Sequence, residues 1–369
     1  MHIPDGYLSP SSCAVLYGGA LPFWYVALKR VKALLHTRLV PLISVFAAFA
    51  FVIMMFNVPI PGGTTAHAVG VGIATVVLGP WASMLSISVA LFLQALFFGD
   101  GGLTTLGANC FNMAIVGSLV AYLVYYFLAK RAAITSSRRV IAAAIAGYLA
   151  INASALCAAI ELGVQPLLFK NAAGAPLYAP YPLSISVPAM MIGHLTFAGV
   201  AELVITGGVV AYLQRTNPIL LARTAPGISL AEDEVLEAAG RDRERAIRSL
   251  WAAIALLLVL TPLGILAAGS AWGEWSARDF SNPAMREKIM AVSGHVAPPA
   301  QTPHGLARLS AIWTAPFPNY SPSFIRLRAF GYMLSAMFGV GVIILISLLT
   351  SWLAARIRPG QGEAETEET

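Results

Sequence analysis

At 369 residues the chain is long enough for two or three soluble domains, but 58% hydrophobic residues against 11% charged ones exclude a soluble protein. Its net charge of +6 is modest and sits in short loops, the pattern of a membrane topology signal, which excludes a nucleic-acid surface. Cys13, Cys110 and Cys157 lie in or beside apolar segments without paired spacing, so neither a disulfide framework nor a zinc motif is present, and they read as small core residues.

The chain begins Met1-His2-Ile3-Pro4-Asp5-Gly6-Tyr7. A free α-amine, the amide nitrogen of His2 and the Nδ1 of its imidazole can close two fused chelate rings on one small cation, and nitrogen donors suit nickel, copper and cobalt. The amide must lose its proton when the metal binds, so such a site weakens as pH falls. His2 is too large for the usual trimming of an initiator residue, and Met1 is expected to stay. Pro4 fixes its own φ and pushes Ile3 towards an extended conformation, which gives the ligating residues a stiff stem before the Asp5-Gly6 turn. A histidine standing at position 2 by chance is the alternative.

Ser9-Pro10-Ser11-Ser12 reads as a helix start, with a first helix over 13–28. Lys29, Arg30, Lys32 and Arg38 follow it; by the positive-inside rule they are cytoplasmic, which places Met1 outside. A second helix over 39–56 returns outward. In the next loop, Pro61-Gly62-Gly63-Thr64-Thr65-Ala66-His67, a glycine pair, two hydroxyls and a histidine stand at the mouth of an apolar run over 68–78. A loop at membrane depth lines a cavity or is buried in protein. His67 is therefore a candidate fourth nitrogen, with Thr64 and Thr65 as candidate supports; a helix-capping or interfacial histidine is the alternative.

Gly79-Pro80-Trp81 breaks the apolar stretch, and a return helix runs over 84–98 to the pliable loop Gly99-Asp100-Gly101-Gly102. Asn109 and Asn112 open a long helix to 128 and share one face. They either support His67 and the leading tip or join neighbouring helices by polar contacts. Lys130, Arg131, Arg138 and Arg139 mark a second cytoplasmic loop, after which a helix over 140–162 leads to an interfacial loop with Tyr178, Tyr181 and Pro182. A seventh helix over 184–213 carries His194 and Glu202 at membrane depth and ends before Arg215. Such a pair can relay protons or help hold a metal, although a structural pair inside the bundle is favoured because no second carboxylate accompanies it.

From 216 to 248 the chain turns polar. Ser229-Leu230-Ala231-Glu232 has capping-box spacing, and Glu232, Asp233, Glu234 and Glu237 precede Arg241, Arg243, Arg245 and Arg248, which predicts an amphipathic cytoplasmic linker helix within 218–249. It separates a membrane domain, 1–217, from a two-helix region, 250–369. That region holds an eighth helix over 250–268, an external loop over 269–328 with His295 and His304, and a ninth helix over 329–353. The helix leads to Arg356, Arg358 and an acidic tail expected to be disordered on the cytoplasmic side. The fold class is thus all-α: a polytopic membrane bundle of seven helices plus two.

MHIPDGYLSP at the start, GGTTAHAVG at 62–70 and ALFFGDGGLTTLGANCFNMA at 95–114 resemble the CbiM/NikM family. These are the substrate-binding components of energy-coupling factor (ECF) transporters for cobalt and nickel. The resemblance implies that the Met1 amine, the His2 amide and imidazole nitrogens, and His67 hold the ion in a plane. It implies as partners a CbiQ/NikQ-like transmembrane (T) subunit and CbiO/NikO-like ATPases within the lipid of the cell membrane, with no cofactor, no bond chemistry and the ion as cargo. Trp272-Gly273-Glu274-Trp275 and Thr302-Pro303-His304-Gly305-Leu306 look like a fused version of the small companion subunit (CbiN/PDGLE-like). There the usual motif is Pro-Asp-Gly-Leu-Glu, and His304 and Ala307 replace its acidic residues. The chain itself has no Walker-type glycine loop.

A second class, an intramembrane metalloenzyme using His194 and Glu202, lacks a HExxH pattern, an Asp pair and cysteine ligands. A passive channel fits poorly with a tight chelate that releases ions slowly.

Overall fold

The structure is a computed structural model that describes residues 1–34, 40–60, 63–227, 247–267 and 269–356. Most of the expected linker helix, Arg38, Arg358 and the acidic tail lie outside the described residues.

Helix α1, Pro10–Leu34, starts three residues earlier than expected and runs on through Lys29 and Arg30. Ser9 caps it, its Oγ accepting from the Ser12 amide at 3.1 Å, and Pro10 fills the first helical position, where no amide hydrogen is needed. Helix α2, Val40–Met54, is buried on most sides and returns to a small antiparallel hairpin, β1 Val58–Ile60 and β2 Thr64–Ala66. That hairpin was not expected. Strand β2 ends just before His67, and the four non-helical residues 67–70 lead into α3, Val71–Leu78.

The expected helix over 68–78 is therefore shorter, and its eight residues span roughly 12 Å, well under the ~30 Å of a hydrocarbon core. All eight are buried, so α3 is a central strut inside the bundle. Gly79, at φ 79°, makes the reversal that a residue with a Cβ would resist, and α4, Pro80–Phe98, climbs back. Helix α5, Leu106–Ala129, α6, Ser137–Leu168, and α7, Leu183–Thr216, complete the core. Helix α6 is central, packed on both α5 and α7.

Three of these helices contain a π-helical turn, at Gln94–Phe98, Cys110–Val116 and His194–Ala198. Such turns insert a residue and re-aim neighbouring side chains, often at functional sites. Helix α8, Ile247–Leu266, and α11, Arg328–Arg356, form the second unit; α11 packs along α2, where the Ser44 hydroxyl donates to that of Ser347. Between them the chain carries α9, Pro283–Val292, and α10, His304–Leu309.

Among the described residues seven helices are long and apolar enough to cross a membrane, α1, α4, α5, α6, α7, α8 and α11, which makes this a multi-pass helical membrane protein. Their outward faces carry exposed Val15, Leu21, Leu123, Ile141, Val204 and Leu256, as surfaces in contact with lipid do. Cys13 and Cys110 are buried, Cys157 is half-buried, and all three are free. Arg139, expected in a cytoplasmic loop, lies on α6 and is fully buried: its guanidinium donates to the carbonyls of Ala132, Ala133 and Pro226 and to the Tyr125 hydroxyl, tying α6 to the end of α5 and to the segment after α7.

Candidate metal centre

The leading tip folds into the bundle. Met1 is 2% exposed and His2 3%, with Ile3 and Tyr7 buried beside them. Their backbone is held by the loop between α4 and α5. Asn109 accepts from the Ile3 amide at 2.8 Å and donates to the Ile3 carbonyl at 3.1 Å, while the Gly102 amide and Thr105 hydroxyl donate to the same carbonyl. Asp5 accepts from the amides of Leu103 and Thr104 and from the Thr104 hydroxyl. The stem expected from Pro4 is thus pinned on both sides of the turn.

His67 is 4% exposed, and its ring stacks on that of His2 with centroids 4.9 Å apart and planes inclined by 22°. His67 Nδ1 lies 3.0 Å from the Ala68 carbonyl, and His2 Nδ1 lies 2.9 Å from Asp100 Oδ1. The Nε2 atoms of both rings are buried with no hydrogen-bond partner among the described residues. Two buried imidazole nitrogens without a partner suit a cation that accepts nitrogen donors, because a buried polar atom left unpaired is costly. No three His, Cys, Asp or Glu side chains converge among the described residues, so an ion held here needs the terminal amine or main-chain nitrogens as well.

The Met1 amine lies 3.3 Å from Glu274 Oε1, on the segment between α8 and α11. Asp100 is joined by the Tyr320 hydroxyl, which donates to its Oδ2 at 2.6 Å. Burial alone would raise the Asp100 carboxyl, but the His2 charge and hydrogen bond hold it below the usual carboxylate range. Burial, and then the charges of the Met1 amine and His2, push His67 well below the ordinary histidine value, so it stays neutral, the form that binds metal.

The other candidates part company. Thr64 donates its hydroxyl to the Ser270 carbonyl and the Thr65 backbone bridges to Ala271, so this strand holds the segment after α8. Asn109 holds the tip, whereas Asn112 donates to Glu161 at 2.7 Å and so joins α5 to α6. Glu161 is the second membrane carboxylate that the sequence reading left out. His194 and Glu202 are not a pair: His194 Nδ1 bonds the Met190 carbonyl of its own helix, and Glu202 accepts from the amides of Val69, Gly70 and Gly72. Asp100, Glu274 and Tyr320 were also missed as site residues. Only the aspartate had a sequence signal, standing between glycines at the mouth of two helices.

Fold and site together define a polytopic helical membrane protein that buries its own leading residues against a histidine from a re-entrant segment. The profile of the cobalt uptake substrate-specific transmembrane region, CbiM, matches residues 2–220, and that of the PDGLE domain matches residues 248–356; the chain belongs to the CbiM family. It is 55% identical over 97% of its length to the "Fused nickel transport protein NikMN" of Rhodobacter capsulatus, covering 99% of that protein. It is 41% identical to the "Probable fused nickel transport protein LarMN" of Lactiplantibacillus plantarum, over 94% of this chain and 96% of the other. A crystal structure of a truncated transition metal transporter superposes with a TM-score of 0.54 at 53% identity, over 58% of this chain and 99% of that one.

Proposed function

We propose that the chain is the substrate-specificity component of an ECF-type importer that captures Ni2+ or Co2+ outside the cell and passes it inward. The Met1 amine, the His2 amide and imidazole nitrogens and His67 are the donors. The observation that carries this reading is the buried tip, its His2 ring stacked on His67, whose Nε2 has no hydrogen-bond partner among the described residues. Relatives named for nickel transport over nearly the whole chain support it. The ion is cargo and no cofactor is required. A T subunit and two ATPases supply the energy, since a tight plane of donors gives up its ion only when the bundle moves. The basic loops put the amino terminus outside and the carboxyl terminus in the cytoplasm.

The two chelate rings need His2 Nδ1, which lies 2.9 Å from Asp100 Oδ1, so the ion and that carboxylate compete for one nitrogen. Glu202 is engaged by three backbone amides and makes no hydrogen bond to His194 among the described residues, which speaks against the intramembrane enzyme.

Calorimetry of purified protein with Ni2+ and Co2+ tests the donor set. His2→Ala, His67→Ala, or one extra residue ahead of Met1 should each abolish high-affinity binding. Undiminished affinity in any one of them removes that donor.

A further inference from the structure

The segment between α8 and α11 reaches the metal centre twice, through two different side chains. Glu274 stands between the buried Trp272 and Trp275 and meets the Met1 amine at 3.3 Å. Tyr320 comes in from the far end of the same segment. Its hydroxyl accepts from Gln94 Nε2 at 3.0 Å and donates to Asp100 Oδ2 at 2.6 Å, and Asp100 Oδ1 holds His2 Nδ1. Its ring stacks on Phe98 with centroids 4.7 Å apart.

The backbone is bent to put that ring there. Asn319 and Tyr320 sit at φ of 53° and 56°, left-handed conformations that non-glycine residues keep only where surrounding contacts enforce them. Gln94 is aimed by the π-helical turn at the end of α4. A strained pair, a re-aimed glutamine and a buried hydroxyl converge on one carboxylate, which is more than packing requires.

A divalent ion held by nitrogen donors carries positive charge out of water, and that charge needs a partner. The carboxylates bonded to the ligating residues are Asp100, from the core, and Glu274, from the second unit, with side-chain exposures of 19% and 21%. We propose that the segment between α8 and α11 completes the metal centre: Glu274 positions the Met1 amine and supplies one countercharge, and Tyr320 positions Asp100, which supplies the other. This rests on the metal-binding reading above and assigns the PDGLE-like unit a direct part in holding the ion. Glu274 and Tyr320 are positioning residues, acting through Met1 and Asp100 and not as ligands.

The test uses the full chain in detergent, titrated with Ni2+ alone, with affinity read by calorimetry and the donor set by visible absorption of the bound ion. Tyr320→Phe keeps the stacked ring and Glu274→Gln keeps the volume, so both variants should fold, Tyr320→Phe melting somewhat lower because Gln94 and Asp100 each lose a partner. Each is expected to lower Ni2+ affinity about 10- to 100-fold, the usual range for groups that orient metal ligands, while the absorption at saturation stays unchanged. Glu274→Asp should recover part of the loss. Wild-type affinity in either variant overturns the proposal, and so does an altered absorption spectrum in Glu274→Gln, which would make the carboxylate a ligand. His67→Ala, run alongside, separates the two claims. If it alone loses binding, only this inference falls; if it too binds normally, the metal-centre reading falls as well.

Discussion

Asn109 grips the tip with both ends of its amide, so one side chain decides where the main-chain nitrogens of residues 1 to 3 lie. Asn109→Ala leaves the buried Ile3 amide without an acceptor, at a cost of about 1–3 kcal/mol. It should lower the unfolding temperature and weaken Ni2+ binding together; a variant with normal affinity would show that the tip is held well enough by Gly102 and Thr105. His67 sets a pH dependence whose sign can be worked out. The fold depresses its pKa, so its favourable burial is fully present above the ordinary value of 6.5 and is lost as pH falls from there towards the folded value. Asp100 is depressed too, but its contribution fades only as pH falls below the ordinary carboxylate value of 3.8. Metal-free protein should therefore melt at lower temperature at pH 5 than at pH 7, and His67→Gln should flatten that slope, as thermal scans at both pH values would read.

Among the elements, α3 depends most on a distant residue. Glu202, 132 residues beyond Gly70, accepts from three amides at or just before the start of α3, satisfying donors that a helix terminus leaves open and placing a negative charge at the positive end of its dipole. Glu202→Ala orphans three buried amides and should destabilise the protein by at least ~3 kcal/mol, whereas Glu202→Gln keeps an acceptor and should lose less. Matching unfolding temperatures for the two variants would refute the capping role. The apolar run over 68–78 looks uniform because hydropathy does not distinguish His67 to Gly70 in an extended path from the same residues in a helix. Where α3 starts was decided by a carboxylate on α7, a contact that no local pattern encodes. Arg139 escaped for a similar reason: the positive-inside rule places a charge on a side of the membrane, not in a nest of carbonyls contributed by two segments.

For the whole molecule, the second unit is docked onto the leading tip. Gly6, at φ 89°, packs so closely on Gly305 and Leu306 that a Cβ would come within 2.8 Å of the Leu306 Cα. The Tyr7 hydroxyl donates to the Trp275 carbonyl at 2.7 Å. Gly6→Ala combines a left-handed backbone with a clash and should cost about 1–3 kcal/mol or more, loosening the segment between α8 and α11. Gly18, in α1, has nothing within 4 Å, and Gly18→Ala should raise stability slightly by restricting the unfolded chain. Tryptophan fluorescence during heating would compare them; equal behaviour of the two would mean that the tip does not hold the second unit.

Composition and apolar run length by themselves determined that the chain is a multi-pass helical membrane protein, because crossing ~30 Å of hydrocarbon demands about twenty apolar residues whatever the neighbours are. Three motifs marked the family, and the two histidines were visible as residues of unusual chemistry in unusual places. Only the tertiary structure decided which groups surround them. Asp100, Glu274 and Tyr320 lie up to 273 residues from their partners, and Thr64, three residues from His67 in the chain, donates to the Ser270 carbonyl instead. Local pattern is set by a side chain's own period and solvent, whereas a polar contact inside a bundle is set by which helices pack, and that is a property of the folded whole.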